Sequence, residues 1–195
     1  ISTVTAAVTS PHAVAVGTFT ASTAGTYTVL AADGYDGSKN GGYTIALNRL
    51  NRPCSTNSLG CATVATGNLS GLLRANTYSF EASANDAFLL RILNAGDNRS
   101  FRARLDVYDP QGNVVQTTST YDIARVNFIT ASSGVYTAVI SDSYDSAETG
   151  AYALSSFRLN RPCTSTAIDC GKVMTGAIDG VLKVSAFTYT AAAGE

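Results

Sequence analysis

The chain has no tryptophan, one histidine and few charged side chains. Each shortage removes a class of function. His12 is the lone histidine, and no Ser-containing elbow or acid partner lies near it in sequence, so nucleophilic catalysis finds no general base. Charged residues make up 14% of the chain against a usual quarter, and the net charge is −1, which provides no field for nucleic acid or an anionic membrane. No apolar run approaches the roughly 18 residues of a membrane-spanning helix. No segment shows helical periodicity beyond a short turn, and the Gly-rich stretches are not followed by a helix, which argues against a phosphate cradle. Nothing selects a catalytic carboxylate pair, and an enzyme is not expected. The chain opens on Ile1 without an initiating Met, so any export signal is expected to have been removed.

What is present is a duplication. Leu50-Asn51-Arg52-Pro53-Cys54, with Cys61 seven residues on, returns as Leu159-Asn160-Arg161-Pro162-Cys163 with Cys170, an offset of 109 residues. Asp33, Tyr35, Asp36 and Tyr43 map to Asp142, Tyr144, Asp145 and Tyr152; Gly67, Gly71 and Tyr78 map to Gly176, Gly180 and Phe187. A register kept over so many positions marks an internal repeat near the size of an independent folding unit.

The four cysteines form two identical pairs, each introduced by Pro. A zinc site is the rival reading, but it usually takes four ligands, and His12 is remote. Local disulfides Cys54–Cys61 and Cys163–Cys170 are expected, each closing a short loop worth about 2.5 kcal/mol on the chain-entropy estimate. They imply an oxidising compartment, extracellular or at the cell surface.

Thr26-Tyr27-Thr28-Val29-Leu30 and Gly42 to Leu47 alternate as strands, with Tyr27 and Val29 on one face and Tyr43, Ile45 and Leu47 on another. In the second copy, Thr77 to Glu81 and Ala87 to Leu93 read as strands. Arg102 to Tyr108 places Leu105 and Val107 inward and Arg104, Asp106 and Tyr108 outward. Asp109-Pro110-Gln111-Gly112-Asn113 is a tight turn leading to Val114-Val115, which makes a hairpin. The expected fold is all-β: tandem antiparallel β-sandwich, jelly-roll-like repeats of about 109 residues. Residues 1–62 are the C-terminal part of one repeat, 63–171 a complete repeat, and 172–195 the N-terminal strands of a further one. The flanking pieces together lack an equivalent of residues 87–109. Their unpaired edges call for strands from outside: a longer tandem array, or head-to-tail strand addition between subunits. A smaller, partial sandwich is the third possibility. If the ends complete each other, Ile1, Val4 and Val8 at one end and Phe187 and Tyr189 at the other carry the contact.

Leu105-Asp106-Val107-Tyr108-Asp109-Pro110-Gln111-Gly112-Asn113-Val114-Val115, then Phe128 to Ile140 and Gly150-Ala151-Tyr152-Ala153-Leu154, resembles the bacterial pre-peptidase C-terminal domain. That family is a β-sandwich appended to secreted peptidases and found in tandem in large surface proteins. The Thr77-Tyr78-Ser79-Phe80 strand fits its opening strand. The likeness covers the second copy nearly throughout and the others in part; the Leu-Asn-Arg-Pro-Cys junction is not part of the general pattern. No peptidase domain accompanies it. The resemblance implies secretion, attachment to substrate or matrix, and in some members calcium binding.

Asp33, Asp36, Asp142 and Asp145 share an Asp-x-Tyr-Asp pattern in Gly- or Ser-rich loops. Paired carboxylates with loop carbonyls suit Ca²⁺, whereas the bland reading makes each Asp a turn former. No other cofactor is expected. Arg52 and Arg161 are candidates to pair with a carboxylate on a neighbouring unit. Tyr35, Tyr108, Tyr121 and Tyr144 fall in expected loops or on outward strand positions, where an aromatic can stack on a sugar ring, fill a subunit contact or cover a sheet edge; the absence of Trp weakens the sugar reading. Asn68 and Asn98 head glycosylation-type sequons. The function expected is a structural subunit of an extracellular filament, sheath or adhesin stalk, with copies of itself as partners. The alternative is a secreted accessory module attaching to matrix polysaccharide or protein.

Overall fold

The computed structural model describes Val14 and residues 16–33, 36–38, 40–144 and 146–194. The chain divides into two units, Ile1–Ile45 and Ala46–Glu195.

The second unit holds an all-β sandwich. Its strands are β1 (Asn57–Ser58), β2 (Val64–Leu69), β3 (Ala75–Ala82), β4 (Ala87–Asn94), β5 (Ala103–Tyr108), β6 (Val114–Thr120), β7 (Ile123–Ile129), β8 (Gly134–Asp142) and β9 (Gly150–Arg158). One sheet runs β1-β3-β8-β5-β6 and the other β2-β9-β4-β7, antiparallel except where β1 joins β3. Alternation in β3, β4 and β7 aims one face of each strand at the opposite sheet. The core between the sheets is built on Leu90, Ile92, Leu105, Ile140 and Leu154, with an aromatic cluster of Phe80, Phe88, Phe128 and Tyr136 whose ring centroids stand 5.1–6.5 Å apart.

The expected β5–β6 hairpin forms. Asp109 organises its turn: its carboxylate accepts the N–H groups of Gln111 at 2.9 Å and Asn113 at 2.8 Å, and Gly112 takes the positive φ of 90°. Asp106 departs from expectation. It is buried rather than solvated, because β5 lies between β6 and β8, and it accepts a hydrogen bond from Arg104 Nε at 2.8 Å and another from Thr117.

After the sandwich, β10 (Thr166–Ala167) and β11 (Phe187–Thr188) make a two-stranded parallel sheet. It reproduces β1–β3 at the sequence offset: Asn57 opposite Tyr78 becomes Thr166 opposite Phe187, and Ser58 opposite Ser79 becomes Ala167 opposite Thr188. Arg91 on β4 donates from Nη2 to the Leu182 carbonyl at 2.6 Å, and the Leu182 side chain is buried.

The strands expected over Thr26–Leu30 and Gly42–Leu47 are not formed. Their equivalents, β8 and β9, are the strands flanked by β3 and β5 and by β2 and β4. Without such neighbours a strand has no ladder to join. Local structure nevertheless recurs. Tyr27 donates its hydroxyl to the Thr23 carbonyl at 2.7 Å, as Tyr136 does to Ser132 at 3.0 Å, four residues back in each case. The Phe19 and Tyr27 rings lie 5.8 Å apart, as Phe128 and Tyr136 lie 6.3 Å apart.

Candidate functional site

The Pro-Cys junction is the most constructed surface of the described residues. Asn160 grips the β3–β4 turn: its Oδ1 accepts the Ala87 N–H at 2.9 Å, and its Nδ2 donates to the Asn85 carbonyl at 2.8 Å. Leu159 N–H donates to the Ala87 carbonyl at 2.7 Å. Arg161 donates to Asp86 through Nε at 2.9 Å and through Nη2, while Arg158 Nε stands 3.4 Å from the other carboxylate oxygen. Asp86 has no exposed surface, although it sits at the rim of the sandwich rather than in its centre. Burial pushes its carboxyl pKa up, but hydrogen bonds from Arg161 and the Ser83 N–H, with the charges of Arg158 and Arg161, outweigh this and hold it below the ordinary value. Arg161 thus clamps its own sandwich rather than a neighbouring unit. Asp86 was missed in sequence, since a lone carboxylate in an Asn-Asp turn carries no signal of an arginine 75 residues away.

The disulfide pairing differs from the local expectation. Cys61 bonds Cys163, with Cα atoms 6.0 Å apart and a sequence separation of 102, and Cys54 and Cys170 carry free, exposed thiols. The clamp through Asn160 and Arg161 brings Cys163 across the end of the sandwich to Cys61 in the loop between β1 and β2. The bond therefore joins the beginning of the sandwich to its end. A loop of that length is worth about 4.7 kcal/mol on the chain-entropy estimate, roughly twice a local pair. A structural disulfide belongs to an oxidising compartment.

The calcium candidates separate. Asp36 Oδ1 accepts from Ser38 N–H at 2.9 Å and Ser38 Oγ at 2.6 Å, a turn-forming role. Asp142 is buried at the end of β8, and its oxygens accept the backbone N–H groups of Arg102, Tyr144 and Glu148 at 3.2–3.4 Å. Asp33 has an interaction of its own, and Asp145 lies outside the described residues. Among the described residues no three His, Cys, Asp or Glu side chains gather to hold a metal.

Of the expected contact residues, Ile1, Val4 and Val8 lie outside the described residues, as do His12 and Tyr35. Phe187 and Tyr189 are both exposed, Phe187 in β11. Among the aromatics, Tyr121 is capped by the Arg102 guanidinium at 5.3 Å, Tyr144 is exposed, and Tyr108 is partly buried. Asn98 donates its side-chain amide to the Thr149 carbonyl at 2.9 Å, so it is a loop tie.

The repeat also sorts exposure. Tyr136, Tyr152 and Leu154 are 1%, 1% and 0% exposed, whereas their equivalents Tyr27, Tyr43 and Ile45 are 47%, 74% and 60% exposed. Leu69 and Phe80 are buried, while their equivalents Ile178 and Tyr189 are exposed. Tyr152 shows what these positions do when partnered. Its ring crosses β2 at Gly67, where a Cβ would stand 2.3 Å from the Tyr152 hydroxyl oxygen. That hydroxyl accepts from Asn76 Nδ2 at 2.8 Å and meets the Tyr78 hydroxyl at 2.9 Å. Burial raises its pKa well above the ordinary phenol.

These features define a disulfide-closed, all-β sandwich module. No protein-family model and no curated protein matches the chain. Among solved structures, it is similar to the pre-peptidase C-terminal domain of collagenase from Bacillus anthracis, with 24% identity and a TM-score of 0.44, over 54% of this chain and 98% of that one. It is also similar to the Aeromonas hydrophila PliG, a periplasmic inhibitor of g-type lysozyme, with 16% identity and a TM-score of 0.42, over 53% of this chain and 95% of that one. The Yersinia pseudotuberculosis-derived mitogen is similar at 12% identity and a TM-score of 0.35, over 59% of this chain and 95% of that one.

Proposed function

We propose that the chain is a non-enzymatic structural module of an extracellular filament, sheath or adhesin stalk, in which the tail of one copy completes the head of the next. The observation that carries this reading is the exposure of Tyr27, Val29, Tyr43 and Ile45, whose equivalents in the finished sandwich are core residues. Burying a large apolar side chain fully contributes about 1.5–3 kcal/mol, so five such residues including Phe19, now 44–74% exposed, leave about 4–8 kcal/mol to be gained.

The tail carries the strands that fit. In the sandwich, β3 pairs with β8 and β2 with β9. Residues 184–191 and 173–178 are the equivalents of β3 and β2, and residues 25–33 and 41–49 those of β8 and β9. Tyr43 would cross the tail at Gly176, as Tyr152 crosses Gly67, with Phe187 in the place of Tyr78. Nothing fills the space beside Gly176 in the free chain.

Light scattering across a concentration series, with electron microscopy of the same material, tests the reading. Head-to-tail oligomers or filaments are expected; a monomer at all concentrations, with Tyr43 accessible throughout, refutes it. A second reading, a secreted accessory module for matrix polysaccharide or protein, is favoured by a groove of about 370 Å³ beside the disulfide, lined among others by Ser58, Phe80, Glu81 and Arg158. Glycan or collagen binding by a monodisperse species would select it.

A further inference from the structure

We infer that Cys170 of one copy and Cys54 of the next are the two halves of an intermolecular disulfide that locks the head-to-tail joint. The inference rests on the complementation reading above and adds its covalent chemistry. The repeat register fixes the pair. Cys61 advanced by the offset is Cys170 (61 + 109), and Cys163 moved back by it is Cys54 (163 − 109). The bonded pair Cys61–Cys163 therefore has one equivalent in this sequence, and its two members are the free thiols, both exposed.

The surroundings of Cys61 are rebuilt around Cys170. Leu59 N–H donates to the Ser79 carbonyl at 2.8 Å, and Ile168 N–H to the Thr188 carbonyl at 2.9 Å. The turn after each cysteine closes in the same way, Thr63 N–H to Gly60 and Lys172 N–H to Asp169, at 3.4 and 3.1 Å. Ala62 and Gly171 have φ of 59° and 74°, and Leu73 and Leu182 have φ of 54° and 56°. Half of the socket is thus preformed at Cys170. The other half arrives with Asn51 and Arg52, the equivalents of the residues that seat Cys163 by clamping Asn85 and Asp86. The tail position equivalent to Asp86 is Glu195, again a carboxylate, and it lies outside the described residues. Among the described residues no ion pair engages Arg52.

The bond forms by oxidation with a small-molecule disulfide such as oxidised glutathione. The Cys170 thiolate attacks one sulfur of the oxidant and expels one thiolate. The Cys54 thiolate of the second copy then attacks Cys170 Sγ and expels the other. Two protein thiols lose two protons and two electrons, and one small disulfide becomes two thiols.

The test mixes Cys54→Ser with Cys170→Ser in a glutathione redox buffer and reads non-reducing gels and peptide mass spectra, with light scattering of the Cys54→Ser/Cys170→Ser double variant in parallel. The expected result is a heterodimer linked Cys170 to Cys54, at least about tenfold in excess of the homodimer from either variant alone, because docking raises the effective concentration of the matching thiols. The wild type should give a ladder that reductant collapses. Homodimers in equal yield, a Cys54–Cys170 bond within one wild-type chain, or thiols that stay free overturn the inference. If thiols stay free while the double variant still associates, only the lock is lost and complementation stands. If the double variant is monomeric throughout, the complementation reading fails with it.

Discussion

Removing Cys61 should cost the sandwich far more than removing Cys54. The structure puts the bond between Cys61 and Cys163, 102 residues apart. On the chain-entropy estimate, closing such a loop restricts the unfolded chain by about 4.7 kcal/mol, whereas a bond across the seven residues from Cys54 to Cys61 would contribute about 2.5 kcal/mol. Cys61→Ser, measured by urea unfolding at fixed protein concentration and followed by tyrosine fluorescence, should lower stability by about 3–5 kcal/mol. With a slope of about 2 kcal/mol per molar urea, the midpoint falls by about 1.5–2.5 M. Cys163→Ser should match it, and the double variant should add nothing further, because one bond is lost in all three. Cys54→Ser and Cys170→Ser should leave the midpoint of the monomer where it was. Equal losses from Cys54→Ser and Cys61→Ser would refute the reasoning, since that is the signature of local pairing.

Gly67→Val should destabilise the sandwich by several kcal/mol in the same assay, because its side chain would occupy the space of the Tyr152 ring. Gly176→Val, beside open space, should leave the melting of the monomer unchanged and cut head-to-tail association in light scattering. Asp86→Asn should lower stability at pH 7 by about 1–3 kcal/mol, a value discounted because Arg161 is half exposed. The depressed pKa of Asp86 stabilises the fold fully above the ordinary carboxylate value and is lost as pH falls below about 4, so the variant should also show a shallower acid limb in a pH series of thermal melts. A calcium chelator should leave the melting temperature unchanged, since the oxygens of Asp36 and Asp142 accept hydrogen bonds from backbone and serine; a fall in melting temperature on chelation would restore the cation reading.

What was legible in the sequence is what neighbours along the chain decide. The Asp109-Pro110-Gln111-Gly112-Asn113 turn, the alternation of β5 through Leu105 and Val107, and the all-β class follow from φ preferences and a period of two, and the structure carries all three. The errors share a different origin. The local cysteine pairs, the outward Asp106 and the strands over Thr26–Leu30 and Gly42–Leu47 each rest on a segment's own pattern, which does not settle its partners. Cys163 reaches Cys61 because Asn160 and Arg161 hold a turn 75 residues away, and Asp106 is buried because two other strands flank it. The head makes the point without any mutation. It contains the Tyr27–Thr23 loop and the Phe19–Tyr27 ring contact of the finished unit, yet its equivalents of β8 and β9 do not become strands. Similar local patterns, placed with and without neighbouring strands, give a buried sheet in one case and exposed apolar residues in the other. Supplying a synthetic peptide of residues 173–191 to a Cys170→Ser chain should therefore turn part of the head into strand, read as a rise in β signal by circular dichroism and slower amide exchange over residues 26–30 and 43–47. An unchanged exchange pattern at saturating peptide would mean that β4 and β5 are required as well, and that the joint forms only where a complete set of neighbours is present.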